Sequence, residues 1–448
     1  MKKKATGIVL ATTILSGLLA ACSSGQPQQN AGNQPQSTDP KAVTQSAAAP
    51  STPTGGGEKP TVKFWHSMGG KNKDYIDGMV KRFNESQEKV KVEATYQGSY
   101  EETVTKLQQG VAAKTAPDIS MLDRSFVGLF AESNVLEDLN PYMKKSGMSV
   151  DDFLPGLMGD SFHNKQLIAV PLNRSTPILH VNKTMLDEAG LAIPQTWEEL
   201  EKVSKALVIK ENGEYKRYGF TMPYSTWYML AFITQAKGKF FNDEGTSIGF
   251  DNGVGVKMFK YLKDQQNTGA LYYPPAKDSG NIVNNMFISG KVGMMYNSTG
   301  SIGGLMDNVK FNYVTAFLPK DQAYAVPTGG GNISLMSGSK NKEAAWEFMH
   351  WMMTDPKGGL QYVLDSGYLP FTKKMVESKE IKDLWAKQPN NKVAYEQLQY
   401  AVDTNKHSAW PEIIQEYFKT IEAIMYDNKD IESTLAILKK EVERIIKK

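Results

Sequence analysis

At 448 residues, 40% hydrophobic and 10% aromatic, the chain is long for one domain, and two lobes sharing a large core are the default expectation. Its 51 Lys and Arg face 48 Asp and Glu, and three of the lysines (Lys2, Lys3 and Lys4) sit in a removable leader, so the rest is balanced and lacks the basic face that nucleic-acid binding requires. One cysteine excludes a disulfide framework and a cysteine-based zinc site, and five histidines without HExxH or His-x-His spacing point to no metal centre and no cofactor.

The leader has a positive start, an apolar stretch at about 7–19 and a small-residue exit, the pattern of a secretory signal too short to span a bilayer. Its exit, LAAC at 19–22, resembles the bacterial lipobox, whose cysteine is lipidated and becomes the first residue after cleavage. Residues 1–21 are therefore expected to be a lipoprotein signal peptide, with Cys22 the lipid anchor on the extracellular face of the cell membrane. From 22 to 59 the composition is Ser, Gln, Asn, Pro, Ala and Gly without apolar periodicity, a flexible leash. The lipid is the expected membrane contact, since no later segment reaches about 18 apolar residues in a row.

Residues 61–66 alternate as a strand, 74–84 carry Tyr75, Met79 and Phe83 at helical spacing, and 90–96 read as a second strand. A helix at 104–113 and a buried strand at 117–122 complete a strand–helix alternation, which predicts a parallel sheet covered by helices. The β-prone run 167–181 is interrupted by polar Asn173, Arg174, Ser175 and Thr176, marking a crossing. Thr196 with Glu199 three residues on predicts a capped helix. Further elements run through 218–222, 227–235, 255–266 and 291–296, and the glycine-rich stretch 325–332 reads as a second crossing before a helix at 342–353. The expected body has two α/β lobes: 60–172 with about 328–375, and about 173–327 with 376–448. Between them lies a ligand cleft at the crossings.

Catalytic patterns are missing from this sequence: it has no GxSxG elbow, no GxxxxGK[ST] loop and no GxGxxG after a strand. Asp151–Asp152 and Glu198–Glu199 are chain neighbours that point apart on a helix, so they read as caps and solvated faces, and no catalytic residue is expected. A carboxylate pair meeting across the cleft would instead make a glycosidase or another extracellular enzyme cleaving carbohydrate or phosphodiester, the alternative reading. Trp65, Tyr100, Tyr224, Trp227, Tyr368 and Trp410 fall at strand ends or in loops, where aromatic faces suit stacking on a ligand.

The runs FWHSM (64–68), QGSYE (97–101), NRSTPIL (173–179), PQTWEEL (194–200), GGGN (329–332) and GYLPFT (367–372) occur in an order that resembles the extracellular solute-binding proteins of ABC importers. The resemblance spans about 60–448 and looks nearest to the sn-glycerol-3-phosphate-binding branch. It implies a two-lobed periplasmic-binding-protein-like fold of type II and a monomer working with ABC permease subunits. It also implies ligand contacts at Tyr100, Ser175, Ser298, Gly330 and Tyr368, whose hydroxyls and close backbone suit polyol or phosphate oxygens. Two positions depart from the branch. Its glycerol-holding acid aligns near Asp123 and Arg124, with Arg124 in the best register, and its phosphate-binding arginine has no counterpart near 411–414. Arg124 or Arg174 is the candidate replacement cation. The ligands consistent with this pattern are a small polyol phosphate, a glycerophosphodiester, or a sugar stacked on Trp227 and Trp410.

Overall fold

The computed structural model describes residues 59–402 and 407–448; the expected signal peptide, Cys22 and the linker up to residue 58 lie outside them. Its first sheet has the order 91–96, 61–66, 119–123, 331–335, 170–171. The first three strands are parallel, with Phe64 opposite Ile119, and Gly331–Leu335 then runs antiparallel to Ile119–Asp123. The alternation read in Thr61–His66 is present, since Val62 and Phe64 are buried and Lys63 is exposed. Helix Gly70–Ser86 covers this sheet by burying Ile76, Met79, Val80 and Phe83, one stripe at helical spacing. Phe83 meets Phe348 and Trp351 edge-on at 5.1 and 5.3 Å, which locks helix Lys342–Thr354 to the same core.

The second sheet has the order 271–272, 214–221, 292–298, 177–182, 313–316, with Ile209–Glu211 paired to the outer part of Glu214–Thr221. Every residue of Pro177–Asn182 is buried, as expected of an inner strand covered on both faces. The helix predicted from Thr196 is Trp197–Leu207; the Thr196 hydroxyl accepts from the Glu199 N–H, but the Glu199 carboxylate reaches the Gln195 N–H rather than the cap residue. The capping box is thus half formed, its second arm shifted one residue outward.

The long run 167–181 is not one strand. It divides into Gln166–Leu167, Val170–Pro171 and Pro177–Asn182, and the polar residues between the last two carry the chain from one sheet to the other. The glycine-rich stretch carries it back, with Val326–Pro327 ahead of Gly331–Leu335. These crossings are bonded to each other: Gly329 N–H donates to Ser175 O at 2.8 Å and Ser175 N–H to Gly329 O at 3.2 Å. A later strap touches both sheets. Ile381 and Ala394 belong to the first core, Gln397 bonds Leu318 N and Pro177 O of the second half, and Ala401–Val402 pairs with Val326–Pro327. Helices Trp410–Met425 and Ile431–Ile446 then pack on the second core. No helix among the described residues is long and apolar enough to cross a membrane.

Candidate functional site

A cavity of about 300 Å³ opens where the two sheets meet at the crossings. From the first sheet's side come Met68, Tyr100, Glu101, Asp123, Arg124 and Phe126; from the second, Trp227, Leu230, Ser298, Trp410 and Ile414; Ser175, Gly329 and Gly330 form its floor and Tyr368 stands at one side. Nine of the ten expected site residues thus line one cavity, Arg174 being the exception.

Local chemistry explains each placement. Tyr100 is the first residue of helix Tyr100–Ala112, which starts at Ser99 with a complete capping box to Glu102. That signal stands plainly in the sequence, S-x-x-E at 99–102, yet the apolar spacing alone starts the helix four residues too late. The Asn173 amide donates to the Tyr100 hydroxyl at 2.8 Å while its oxygen accepts from Gly331 N–H at 3.0 Å, so one side chain joins the cavity wall to both crossings. Asp123 ends its strand opposite Gly331 and accepts from the backbone and hydroxyl of Ser125. Burial raises its pKa above the usual carboxylate value, opposed by the Ser125 bonds and Arg124.

Trp227 follows Ser225, whose side chain caps helix Thr226–Gln235. The indole N–H donates to Pro327 O at 3.2 Å and its ring lies so close to Gly329 that a Cβ there would come within 2.5 Å of it. Ser298 ends strand Val292–Ser298 and accepts from Gly300 N–H at 3.1 Å. Tyr368 follows Gly367, whose φ of 77° ends the preceding helix in the left-handed region. Its ring stacks on Tyr362 at 5.9 Å and rests on Gly300, where a Cβ would clash at 2.7 Å. Trp410, 2% exposed, meets Phe240 edge-on at 4.9 Å, and its indole N–H finds no partner among the described residues.

Three sequence expectations change. Arg174 lies behind the floor, 1% exposed, donating to Asn332 Oδ1 at 3.2 Å and Thr328 Oγ1 at 2.9 Å, so it is not the cavity cation. Burial, followed by the like charge of Arg124, lowers its pKa to about 10. Tyr224 is outside the cavity, stacked on Phe418 at 5.1 Å and donating to Glu422. Trp65 likewise does not line the cavity and packs toward Gly110. Sequence reading missed Met68, Glu101 and Phe126, and also Asp160, whose carboxylate binds Arg124 Nε at 2.6 Å; no spacing rule links residues 36 positions apart.

Hydroxyls, carboxylates and aromatic faces converging on a cavity between two α/β layers define a two-lobed binding protein. The profile of the family described as "Bacterial extracellular solute-binding protein" matches residues 78–389, and the chain belongs to that family. The sn-glycerol-3-phosphate-binding periplasmic protein UgpB of Escherichia coli strain K12 is 27% identical over 362 residues, which is 75% of this chain and 80% of that one. Among solved structures, UgpB of Mycobacterium tuberculosis in complex with glycerophosphocholine has a TM-score of 0.78 at 22% identity, covering 87% of this chain and 99% of that one. The substrate-binding protein Lmo0181 of Listeria monocytogenes in complex with cycloalternan has the same score and identity, covering 87% of this chain and 100% of its own. The shared fold is the two-lobed α/β architecture read from the sequence.

Proposed function

We propose that this protein is the receptor of a bacterial ABC importer. It captures a small hydroxyl-rich solute, a polyol phosphate, a glycerophosphodiester or a sugar, in the cavity at the crossings and presents it to the permease. One observation carries the reading: Tyr100, Ser175, Ser298, Gly330 and Tyr368, far apart in sequence, line the same cavity with Trp227 and Trp410. The names of the relatives support the ligand class, since one is named for glycerol 3-phosphate and others were solved with glycerophosphocholine and cycloalternan. Ligand spans both walls, so it binds the closed arrangement more tightly than an open one and shifts the population toward closure, the form the permease recognises.

The test is a thermal-shift and calorimetric panel of sn-glycerol-3-phosphate, glycerophosphocholine, maltose and tagatose. At a hundred times Kd a single-site ligand adds about 2.7 kcal/mol to stability, so one panel member is expected to raise Tm by several degrees and to bind one-to-one without product. Turnover, or a panel without any shift, would sink the reading. Tethering is proposed to run through a lipid on Cys22, with the mature chain free to move on its leash beside the permease. Cys22→Ala should move the protein from the membrane to the soluble or secreted fraction in cell fractionation; retention at the membrane would refute it.

A further inference from the structure

A second cavity of about 200 Å³ adjoins the first and shares Arg124 and Ser125 with it as a common wall. That volume is below the range of about 300–1,000 Å³ typical of a whole small-molecule site, but it suits an extension of one. Buried Val127, which opens helix Val127–Glu132, and buried Ile168 give it apolar surface. The hairpin that pairs Phe162–His163 with Gln166–Leu167 supplies Phe162, His163 and Asn164. Asn164 and Lys165 turn this hairpin at φ 47° and 69°, the left-handed pair of a tight two-residue turn, so the carrier is compact and fixed. Phe162 is 41% exposed although its cross-strand partner Leu167 is fully buried, and Asn164 Nδ2 lies 3.0 Å from His163 Nε2. Asp160 and Arg124 also line the cavity, and they are bonded to each other at 2.6 Å while Arg124 donates as well to Thr328 O at 3.1 Å.

We propose that this second cavity is a subsite for the next ring of a neutral oligosaccharide whose first ring lies in the main cavity. This rests on the main cavity being the ligand site, and it narrows the solute there to a saccharide of two or more units. A pyranose has a C–H face and a rim of hydroxyls, so it needs an aromatic or aliphatic surface on one side and polar groups at its edge. Phe162 with Val127 and Ile168 is such a surface, and His163, Asn164 and the Asp160 carboxylate are such groups. A charged unit gains little here, because the carboxylate and the guanidinium already satisfy each other, and that pair stays intact with the sugar bound. Ser125, common to both cavities, marks where the chain of rings crosses. Its hydroxyl donates to Asp123, which leaves its oxygen as an acceptor for a sugar hydroxyl.

The test titrates two length series, glucose with maltose and maltotriose and glucose with cellobiose and cellotriose, into wild type, Phe162→Ala and Phe162→Trp. In wild type, affinity should rise roughly ten-fold or more from glucose to the trisaccharide of one series, the gain expected of a second stacked ring. Phe162→Ala should level that rise, and Phe162→Trp, which keeps a stacking face, should retain it. Affinity that is flat with length in both series, or a rise that Phe162→Ala leaves intact, overturns the proposal. So does an equal loss in Phe162→Ala across a whole series, which would mark Phe162 as a wall residue of the fold. Failure of the main-cavity reading looks different. If sn-glycerol-3-phosphate or glycerophosphocholine binds wild type and no saccharide does, the main cavity stands and the subsite falls; if no solute binds at all, both fall.

Discussion

Gly330→Ala is expected to lower the melting temperature by several degrees and to weaken solute binding together with it. Gly330 sits at φ 83°, in the region that only glycine enters without strain. A Cβ there would lie 2.0 Å from Asn173 O and 3.2 Å from Arg174 Cα. Both obstacles are backbone of the other crossing, so no side-chain rotation relieves them. Strain of this kind costs about 1–3 kcal/mol for the dihedral alone, and the displaced backbone adds to it. Because Asn173 also holds Tyr100 and Gly331, the shift passes to the cavity wall. Calorimetric Tm and solute titration measure both effects. A Tm within a degree of wild type with unchanged affinity would show that the crossings are looser than their bonds indicate.

Trp227→Ala is expected to have the larger effect on binding. The indole faces the cavity, rests on Gly329 and donates to Pro327 O, so it is held rigidly before the solute arrives. Truncating a fixed aromatic at the centre of a binding site costs about 2–4 kcal/mol, an affinity loss of roughly 30- to 1,000-fold. Trp227→Phe keeps a ring but loses the bond to Pro327, and it should recover a good part of the affinity. Titration of both variants separates ring from anchor. A loss below about three-fold in Trp227→Ala would place the solute elsewhere in the cavity.

Local rules were sufficient for much of the molecule. The alternation in Thr61–His66, the helical stripe through Met79 and Phe83, the Thr196 cap and the polar break at 173–176 each depend on residues within a few positions, and the structure has all four. The order of the motifs, together with their resemblance to a known family, was enough to indicate two sheets, two crossings and a cavity lined by Tyr100, Ser175 and Tyr368. What the sequence by itself could not determine were the partners of its charges. Arg124 and Arg174 are both arginines followed by serines, and the residues each one bonds lie 36 or more positions away in the chain. Folding turns one into the cavity against Asp160 and the other behind the floor onto Asn332. That difference arises from strand pairing across hundreds of residues, where Gly331 comes to lie opposite Asp123 and Gly329 beside Ser175. Secondary structure follows from short-range sterics and hydrogen bonding, which the sequence displays directly; which buried ion meets which counter-ion follows from tertiary placement, which only the folded chain decides.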